Sequence, residues 1–322
     1  MFNRPRETEE LLESLSKQIF TDFEVIIVED GSQISSEKTV RKYSDKLNIK
    51  YIKKENSGPG PSRNEGMKQA KGDFFIILDS DVILPPQYLQ IIDRFLQNQP
   101  VDAFGGPDRA MDTFTPVQKA IDFAMTSFLT TGGIRGKAEK LEKFHPRSFN
   151  MGISRKVFEK TGGFSGMRFG EDIDLSIRIK KAGFKTALIN DAYVYHKRRN
   201  TLKQFFKQIY NSGIARINLY KRHPESLKIV HLFPLFFSLG FFLSLLLILL
   251  GFPYLLYFYF LYFFLLFLTA GFKYKSIKTG LLSVATSFIM LFAYGSGFLK
   301  AIWKRIVKKE NEFEAFKKNF YK

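Results

Sequence analysis

The sequence predicts an α/β domain, built on a parallel sheet with helices on both faces, followed by a membrane region. Three observations predict this architecture. Short apolar runs alternate with amphipathic helical segments through the first two thirds of the chain. Acidic residues directly follow several of these runs. Long stretches without charged residues fill most of the last third, which is typical of membrane-spanning helices.

The central strand is predicted at Phe74–Leu78, an apolar run closed by polar residues and then by Pro85 and Pro86. Asp79 and Asp81 follow it directly. Ligands of open α/β sheets bind outside the carboxyl ends of the strands. Two carboxylates separated by one residue suit Mg²⁺ or Mn²⁺, which prefer oxygen ligands together with substrate phosphates. The alternative interpretation is a solvated turn, in which Asp and Ser are common.

The segments before the central strand follow the same alternation, but they open with a helix where a doubly wound sheet normally opens with a strand. We therefore expect the natural protein to begin upstream of Met1, and a truncated domain is the alternative. The predicted segments are a helix at 7–18, a strand at 23–28, a helix at 36–46, a strand at 49–52, and a Gly/Pro loop at 56–64 leading into a helix to Ala70.

The segments after the central strand continue the pattern less regularly. Glu171 and Asp172 open a helix, and acidic residues in a first turn also have a structural explanation in the helix dipole. The predicted segments are a helix at 87–96, a strand at 101–104, a helix at 114–130, a loop at 131–148, order from 151 to 158, a helix at 171–182, a strand end at 193–196 and a basic amphipathic helix at 202–220.

Three uncharged runs at 229–250, 253–270 and 281–299 predict two membrane-spanning helices and a less certain third. Basic residues before the first run and after the second place both on the cytoplasmic side. If the third run also spans, the basic tail lies outside, against the rule; otherwise the run re-enters or lies in the interface. The basic residues are Lys221, Arg222 and Lys228, then Lys273, Lys275 and Lys278, and in the tail Lys300, Lys304, Arg305, Lys308 and Lys309.

Composition narrows the classes of function. The chain of 322 residues has no Cys, which excludes disulfides, a catalytic thiol and a Cys-type zinc site. Its net charge of +18 permits nucleic acid, anionic lipid or anionic small substrates as partners. The 36 Phe residues, concentrated in the last third, and the basic residues near the apolar runs favour lipid over nucleic acid.

Taken together, the motifs resemble those of the inverting family 2 glycosyltransferases with a GT-A fold, of the bacterial membrane-anchored kind. The resemblance covers about residues 2–220, and a D-x-D motif alone would be weak evidence. The motif of processive polysaccharide synthases, Gln-x-x-Arg-Trp, is missing, which favours addition of a single sugar. The matching stretches are residues 12–18, 25–32, 70–81, 161–164 with 170–178, and 192–196.

The resemblance implies a nucleoside-diphosphate sugar donor, Mg²⁺ or Mn²⁺ as cofactor, and a lipid-linked or saccharide acceptor in surface polysaccharide or glycolipid synthesis. It also implies a cytoplasmic catalytic domain at 1–228 and a membrane region at 229–322 in the bacterial inner membrane. The implied roles are base recognition by Asp30, a phosphate contact or loop fixation by Arg63 beside Asn64, a ribose or sugar contact by Asp79, metal binding by Asp81 with His196, an acceptor contact by Glu171 and general base catalysis by Asp172.

Two alternatives remain at this point. A nucleotidyltransferase also uses a doubly wound sheet and paired carboxylates, but the Gly-rich basic loop expected near its first strand is not visible. A non-catalytic membrane scaffold with a degenerate sugar-nucleotide domain is supported by the missing strand. Against the scaffold, every acidic position expected for catalysis is filled.

Overall fold

The computed structural model describes residues 1–111, 113–132, 145–312 and 314. The chain forms two compact units. The first unit comprises residues 1–111 and 139–197, and the second comprises residues 112–138 and 198–322. The second unit therefore includes segments on both sides of residue 228, so this division by packing differs from the division by composition, and the boundary at 228 stays a prediction.

The first unit is the α/β part of the chain. Most predicted segments recur within a few residues of their expected ends, and the predicted loop at 131–148 lies largely outside the described residues. Numbered along the chain, the elements are α1 (Pro5–Leu15), β1 (Val25–Asp30), α2 (Glu37–Arg41), β2 (Ile49–Lys54), α3 (Pro59–Gln69), β3 (Phe74–Leu78), β4 (Val82–Ile83), α4 (Tyr88–Asn98), β5 (Ala103–Gly105), β6 (Asp108–Arg109), β7 (Asn150–Ser154), α7 (Arg155–Thr161), α8 (Glu171–Lys181), β8 (Thr186–Leu188) and β9 (Val194–His196).

The strands form mixed sheets, so the prediction of a parallel sheet is only partly right. β1 pairs with β2 in parallel, and β5 pairs with β8 in parallel. β7 lies between β3 and β5 and runs antiparallel to both. Two consecutive strands joined by a crossover helix run parallel. A long connection separates β5 from β7, and a connection of this kind does not determine whether the later strand runs parallel or antiparallel.

β3 is buried on both faces, as the apolar run predicts. Phe75 and Ile77 belong to a cluster with Met67, Leu175 and other buried side chains. The alternate side chains of the strand, Phe74, Ile76 and Leu78, pack against a second cluster on the other face. Side chains alternate between the two faces of a strand. The strand therefore lies between two layers of core, and its carboxyl end brings Asp79 and Asp81 to the sheet edge.

The residues before α1 pair with β1. The Met1 nitrogen donates to the Val28 carbonyl over 2.6 Å, and the Asp30 amide donates to the Met1 carbonyl over 2.9 Å. Asn3 Oδ1 accepts hydrogen bonds from the amides of residues 33 and 34 at 2.8 and 2.9 Å. This short segment, too short to predict as a strand, holds the start of α1 beside the end of β1.

The second unit is helical. Its elements are α5 (Pro116–Thr126), α6 (Phe128–Thr131), α9 (Leu202–Arg222), α10 (Phe233–Leu249), α11 (Tyr254–Tyr274) and α12 (Ile277–Ile302), with 3₁₀ turns at Pro224–Ser226 and Ile229–His231 and a π-helical turn at Trp303–Val307. α9 and α12 approach closely at two glycines. A Cβ on Gly213 would lie 2.2 Å from the Tyr294 carbonyl oxygen, and one on Gly297 would lie 2.1 Å from the Tyr210 carbonyl oxygen.

Among the described residues, the helices at Tyr254–Tyr274 and Ile277–Val307 are long and apolar enough to cross a membrane. They correspond to the second and third predicted runs. The first run forms the shorter α10, of 17 residues, because its first residues, Ile229–His231, form a 3₁₀ turn. One of the two runs predicted to form the membrane hairpin thus forms the shortest of the three helices.

Candidate active site

Three side chains with metal-binding atoms meet beyond the end of β3. One ligand atom from each of Asp79, Asp81 and His196 lies within 4.8 Å of the others. The register of β4 against β9, which places Val82 opposite His196, brings the imidazole beside the aspartates. His196 Nε2 lies 3.3 Å from Asp81 Oδ1. Two carboxylates and one imidazole fit Mn²⁺ or Mg²⁺, with coordination positions left for substrate oxygens.

Two neighbours of His196 were not predicted from the sequence. The ring of Phe149 stacks on the imidazole with a centroid distance of 5.0 Å. Asp108 Oδ2 lies 3.9 Å from His196 Nδ1, within ion-pair range if the imidazole is protonated. Asp108 follows β5 closely, as Asp79 follows β3. Because the sequence places Asp108 just after a predicted strand, Asp108 could have been predicted as a site residue in the same way as Asp79.

Arg63 connects the D-x-D aspartates to the acidic pair on α8. Its Nη2 lies 2.7 Å from Asp79 Oδ1, and its Nη1 lies 2.8 Å from Glu171 Oε1. Its guanidinium also lies over the Phe164 ring, 5.1 Å from the centroid. Asn64 exchanges two hydrogen bonds of 2.8 Å with the backbone of Phe164. Arg63 therefore crosses the site between two carboxylates, while Asn64 holds the loop behind it.

Asp172 is buried and bound by an arginine that was not predicted. Arg147 Nε donates to Asp172 Oδ2 over 2.6 Å, and the Ile173 amide donates to Asp172 Oδ1 over 2.8 Å. Burial raises the pKa of Asp172, but the Arg147 ion pair outweighs it, so the pKa lies below the ordinary value. Burial raises the pKa of Glu171 despite its contact with Arg63. The two adjacent carboxyls thus have pKa values shifted in opposite directions.

Asp30 is fully engaged by the loop that follows β2. Lys54 Nζ lies 2.7 Å from Oδ1, and the amides of Ser57 and Gly58 each donate to the carboxylate over 2.8 Å. Burial raises the pKa of Asp30, and these hydrogen bonds lower it further than burial raises it. Its neighbour Glu29 is also buried, accepting from Ser36 and Tyr51. Base recognition by Asp30 stays a prediction, and its observed contacts fix the loop at 55–58.

The structure joins six of the seven predicted site residues. Arg63 bridges Asp79 to Glu171, which is adjacent to Asp172. Asp81 and His196 complete the group, because they form with Asp79 a cluster that could hold a metal ion. Two further arginines were missed: Arg4, which pairs with Asp81, and Arg147, which pairs with Asp172. Nothing local to either arginine in the sequence marks a partner 77 or 25 residues away.

Comparisons with known proteins identify a family and several similar proteins. The model of the family "Glycosyl transferase family 2" matches residues 1–162. Poly(ribitol-phosphate) beta-N-acetylglucosaminyltransferase TarS of Staphylococcus aureus is 38% identical over 105 residues, or 31% of this chain and 18% of that protein. An uncharacterized glycosyltransferase of Haemophilus influenzae is 30% identical over 214 residues, or 62% of this chain and 68% of that protein.

A solved mannosyltransferase structure is similar over most of the chain. It is the mannosyltransferase PcManGT of Pyrobaculum calidifontis in complex with GDP-Man and Mn²⁺. The TM-score is 0.59 at 16% identity, covering 95% of this chain and 86% of that one. At this identity the likeness concerns the fold.

Proposed function

Because the chain belongs to the family 2 glycosyltransferases and has their GT-A fold, we propose that it transfers one sugar from a nucleoside-diphosphate sugar, with inversion, to a membrane-held acceptor. The acceptor is a lipid-linked or other saccharide of the cell envelope. One observation supports this proposal most strongly. The metal-binding cluster of Asp79, Asp81 and His196 is connected through Arg63 to the buried carboxyls that open α8.

The chemistry requires two functions at neighbouring positions. A nucleoside diphosphate must be held and its charge neutralised as it leaves, and the acceptor hydroxyl must lose a proton as it attacks. The metal-binding cluster suits the first function, because carboxylate oxygens with phosphate oxygens make a favourable ligand set for Mg²⁺ or Mn²⁺. Asp172 suits the second, because a carboxylate kept ionised by Arg147 is available to accept a proton.

In the proposed reaction, the acceptor oxygen forms a bond to the anomeric carbon while the bond from that carbon to the diphosphate oxygen breaks. Attack from the face opposite the leaving group inverts the configuration. The proton of the acceptor hydroxyl passes to a carboxylate oxygen of Asp172, which requires Arg147 to share or release its hydrogen bond. Glu171 lines the acceptor side, and Asp79 contacts the ribose or sugar of the donor.

Asp79, Asp81 and His196 would hold the divalent cation. When bound, such a cation supplies positive charge that stabilises the departing diphosphate. The neighbour PcManGT was solved with GDP-Man and Mn²⁺, which supports the choice of cofactor and donor class. A screen of nucleoside-diphosphate sugars identifies the donor that this chain uses.

The acceptor proposal rests on the apolar helices of the second unit. Within the described part of the chain, two helices are long and apolar enough to span a membrane, and α10 adds a third apolar segment. Basic residues near the ends of these helices favour a location in the inner membrane with the catalytic domain in the cytoplasm, where anionic lipid attracts them. An enzyme anchored in this way meets acceptors held in the same membrane.

A donor screen tests the proposal. The full chain, purified in detergent with Mn²⁺, is assayed for release of nucleoside diphosphate from UDP-, GDP- and dTDP-sugars in the presence of membrane lipid extract. We expect release from one class of donor, and loss of release in Asp81→Ala or with EDTA. The exposed Asp45 provides a matched control, since Asp45→Ala removes a carboxylate from the turn between α2 and β2, outside the elements that carry the cluster. Full activity in EDTA would contradict the metal assignment.

A further inference from the structure

Arg4 makes a direct ion pair with one of the proposed metal ligands. Its Nη1 lies 2.6 Å from Asp81 Oδ2, and the two side chains are 30% and 11% exposed. Asp81 raises the pKa of Arg4, although burial opposes this effect. The other carboxylate oxygen of Asp81 faces His196. A fixed positive charge therefore contacts the same carboxylate that would bind a divalent cation.

The backbone of Arg4 is held in place independently of its side chain. Arg4 is the N-cap residue of α1, and its carbonyl oxygen accepts from the amide and the hydroxyl of Thr8 at 3.0 and 2.7 Å. The preceding residues are held by the contacts of Met1 with β1 and of Asn3 with the 32–34 turn. Replacing the side chain should therefore leave the helix start intact, while removing the guanidinium from Asp81.

The guanidinium and the candidate metal cluster use the two oxygens of the same carboxylate. Arg4 Nη1 contacts Asp81 Oδ2, and Oδ1 is the oxygen that faces His196. Arginine cannot become neutral by losing a proton in a protein, so a cation at Oδ1 binds a carboxylate whose charge the guanidinium already neutralises. The hydrogen bond to Oδ2 is charge-assisted, one of the stronger kinds, and cation binding weakens it. Arg4 therefore lowers the affinity of Asp81 for a divalent cation.

We propose that Arg4 is the residue that sets the metal affinity of this site, by competing with the divalent cation for Asp81. This inference rests on the proposed metal-dependent function. In the absence of nucleotide the guanidinium neutralises Asp81 and keeps metal affinity low. Phosphate oxygens of the donor add ligands to the cation, so tight metal binding then depends on the donor being present.

Mn²⁺ binding measured without any substrate tests the proposal. Free Mn²⁺ is followed by electron paramagnetic resonance during titration of the full chain in detergent, for the wild type, Arg4→Gln and Arg6→Gln. We expect Arg4→Gln to bind Mn²⁺ about tenfold more tightly, because the competing hydrogen bond is gone. Arg6 is the matched control, since its side chain on the same helix is 89% exposed and is 3.9 Å from Glu10.

A second measurement distinguishes competition from a structural role. Thermal unfolding of the metal-free proteins should show a lower midpoint for Arg4→Gln, because Asp81 loses its ion-pair partner. If Arg4 competes with the cation, Arg4→Gln raises metal affinity and lowers metal-free stability, whereas loss of a residue that only supports the site would lower both. Arg4→Met, similar in length and uncharged, repeats both measurements if the glutamine variant does not fold.

Asp81→Asn separates failure of this inference from failure of the proposed function. If the wild type and Asp81→Asn bind Mn²⁺ equally, the metal site itself is wrong. If binding depends on Asp81 but is unchanged or weaker in Arg4→Gln, the competition is overturned while the metal site stands. Tighter binding in Arg4→Gln, with Asp81 dependence retained and Arg6→Gln unchanged, supports the proposal.

Discussion

Arg147 donates a hydrogen bond from Nε to Oδ2 of Asp172 over 2.6 Å, and Asp172 is buried. If Asp172 is the general base, Asp172→Asn keeps the size of the side chain and removes its basicity. We expect kcat to fall by about 10²- to 10⁴-fold, the usual contribution of a general base. Donor binding, measured by calorimetry with the nucleoside diphosphate, should change little. Unchanged turnover would move the role to Glu171, which Glu171→Gln then tests.

The pH dependence of activity distinguishes these two carboxyls. A base must be ionised, so activity rises with pH through its pKa. The ion pair with Arg147 lowers the pKa of Asp172, which puts the acidic limb of kcat/KM below about pH 3.9. Burial raises the pKa of Glu171, so catalysis by Glu171 would put the limb above about pH 4.3.

Removing Arg147 should move that limb. In Arg147→Gln, Asp172 stays buried but loses the opposing cation, so its pKa rises and the acidic limb shifts to higher pH. The exposed Arg41 pairs only with Glu37 on its own helix among the contacts described, which makes Arg41→Gln a matched control. A limb that stays in place in Arg147→Gln would show that Asp172 is not the group being titrated.

The sequence predicted the elements of this fold better than their arrangement. β3 was predicted with its observed bounds, because a purely apolar run at a strand's length leaves little alternative. The GT-A fold is confirmed by the family match and by the structural likeness to PcManGT. The antiparallel β7 was not predicted, because strand direction depends on a long connection that carries no local signal.

The site residues were likewise predicted better than the contacts between them. Acidic residues after strands and at helix starts are visible in the sequence, so Asp79, Asp81 and Glu171 were found. The arginine that pairs with Asp81 was not, because Arg4 reaches Asp81 across 77 residues and nothing in the local pattern around Arg4 indicates it. For Arg63, the sequence left two roles open, a phosphate contact and fixation of the loop. In the structure it pairs with two carboxylates, Asp79 and Glu171, and neither role by itself describes these contacts.

The Arg63 bridge predicts a loss of stability. Arg63→Gln would leave Asp79 and Glu171 without their shared cation in a site where Arg63 is 16% exposed. We expect a decrease of about 3 kcal/mol in the free energy of unfolding, because removing one partner leaves buried charge uncompensated. Urea unfolding of the full chain in detergent measures this. Arg41→Gln, at an exposed helix pair, should cost less than about 0.5 kcal/mol, and equal effects of the two variants would contradict the bridge.

We expect Asp30 to make a pH-dependent contribution to the stability of the fold. Its pKa in the folded chain is lower than the unfolded value of about 3.9, so its contribution is complete above that pH and is lost as pH falls through the folded pKa. Asp30→Asn should therefore cost about 2 kcal/mol at pH 7, and the difference from wild type should shrink below about pH 4. Thermal unfolding across pH measures it. A difference independent of pH would show that the ionised carboxylate is not what stabilises the loop.

The turn between α10 and α11 predicts a membrane hairpin. Gly251 has φ of +85°, a conformation that favours glycine, and only a few residues separate the two helices. If both helices span, this turn lies on the far side and residue 277 lies on the cytoplasmic side, as the basic residues favour. The chain has no native Cys, so single cysteines report position directly. In intact cells, an impermeant thiol reagent should label Phe252→Cys and not Ile277→Cys, and the reverse pattern would overturn the orientation.

The end of α12 decides whether the third apolar helix also crosses. α12 is long enough to span, but 44% of its apolar stretch of 18 residues is buried against other parts of the protein. The corresponding value for α11 is 17%. Basic residues follow it closely and favour the cytoplasmic side. We therefore expect Val307→Cys, whose native side chain is 56% exposed, to resist the impermeant reagent in intact cells and to react after the cells are opened. Labelling in intact cells would show that α12 crosses the membrane and carries its basic end outside, against the charge rule.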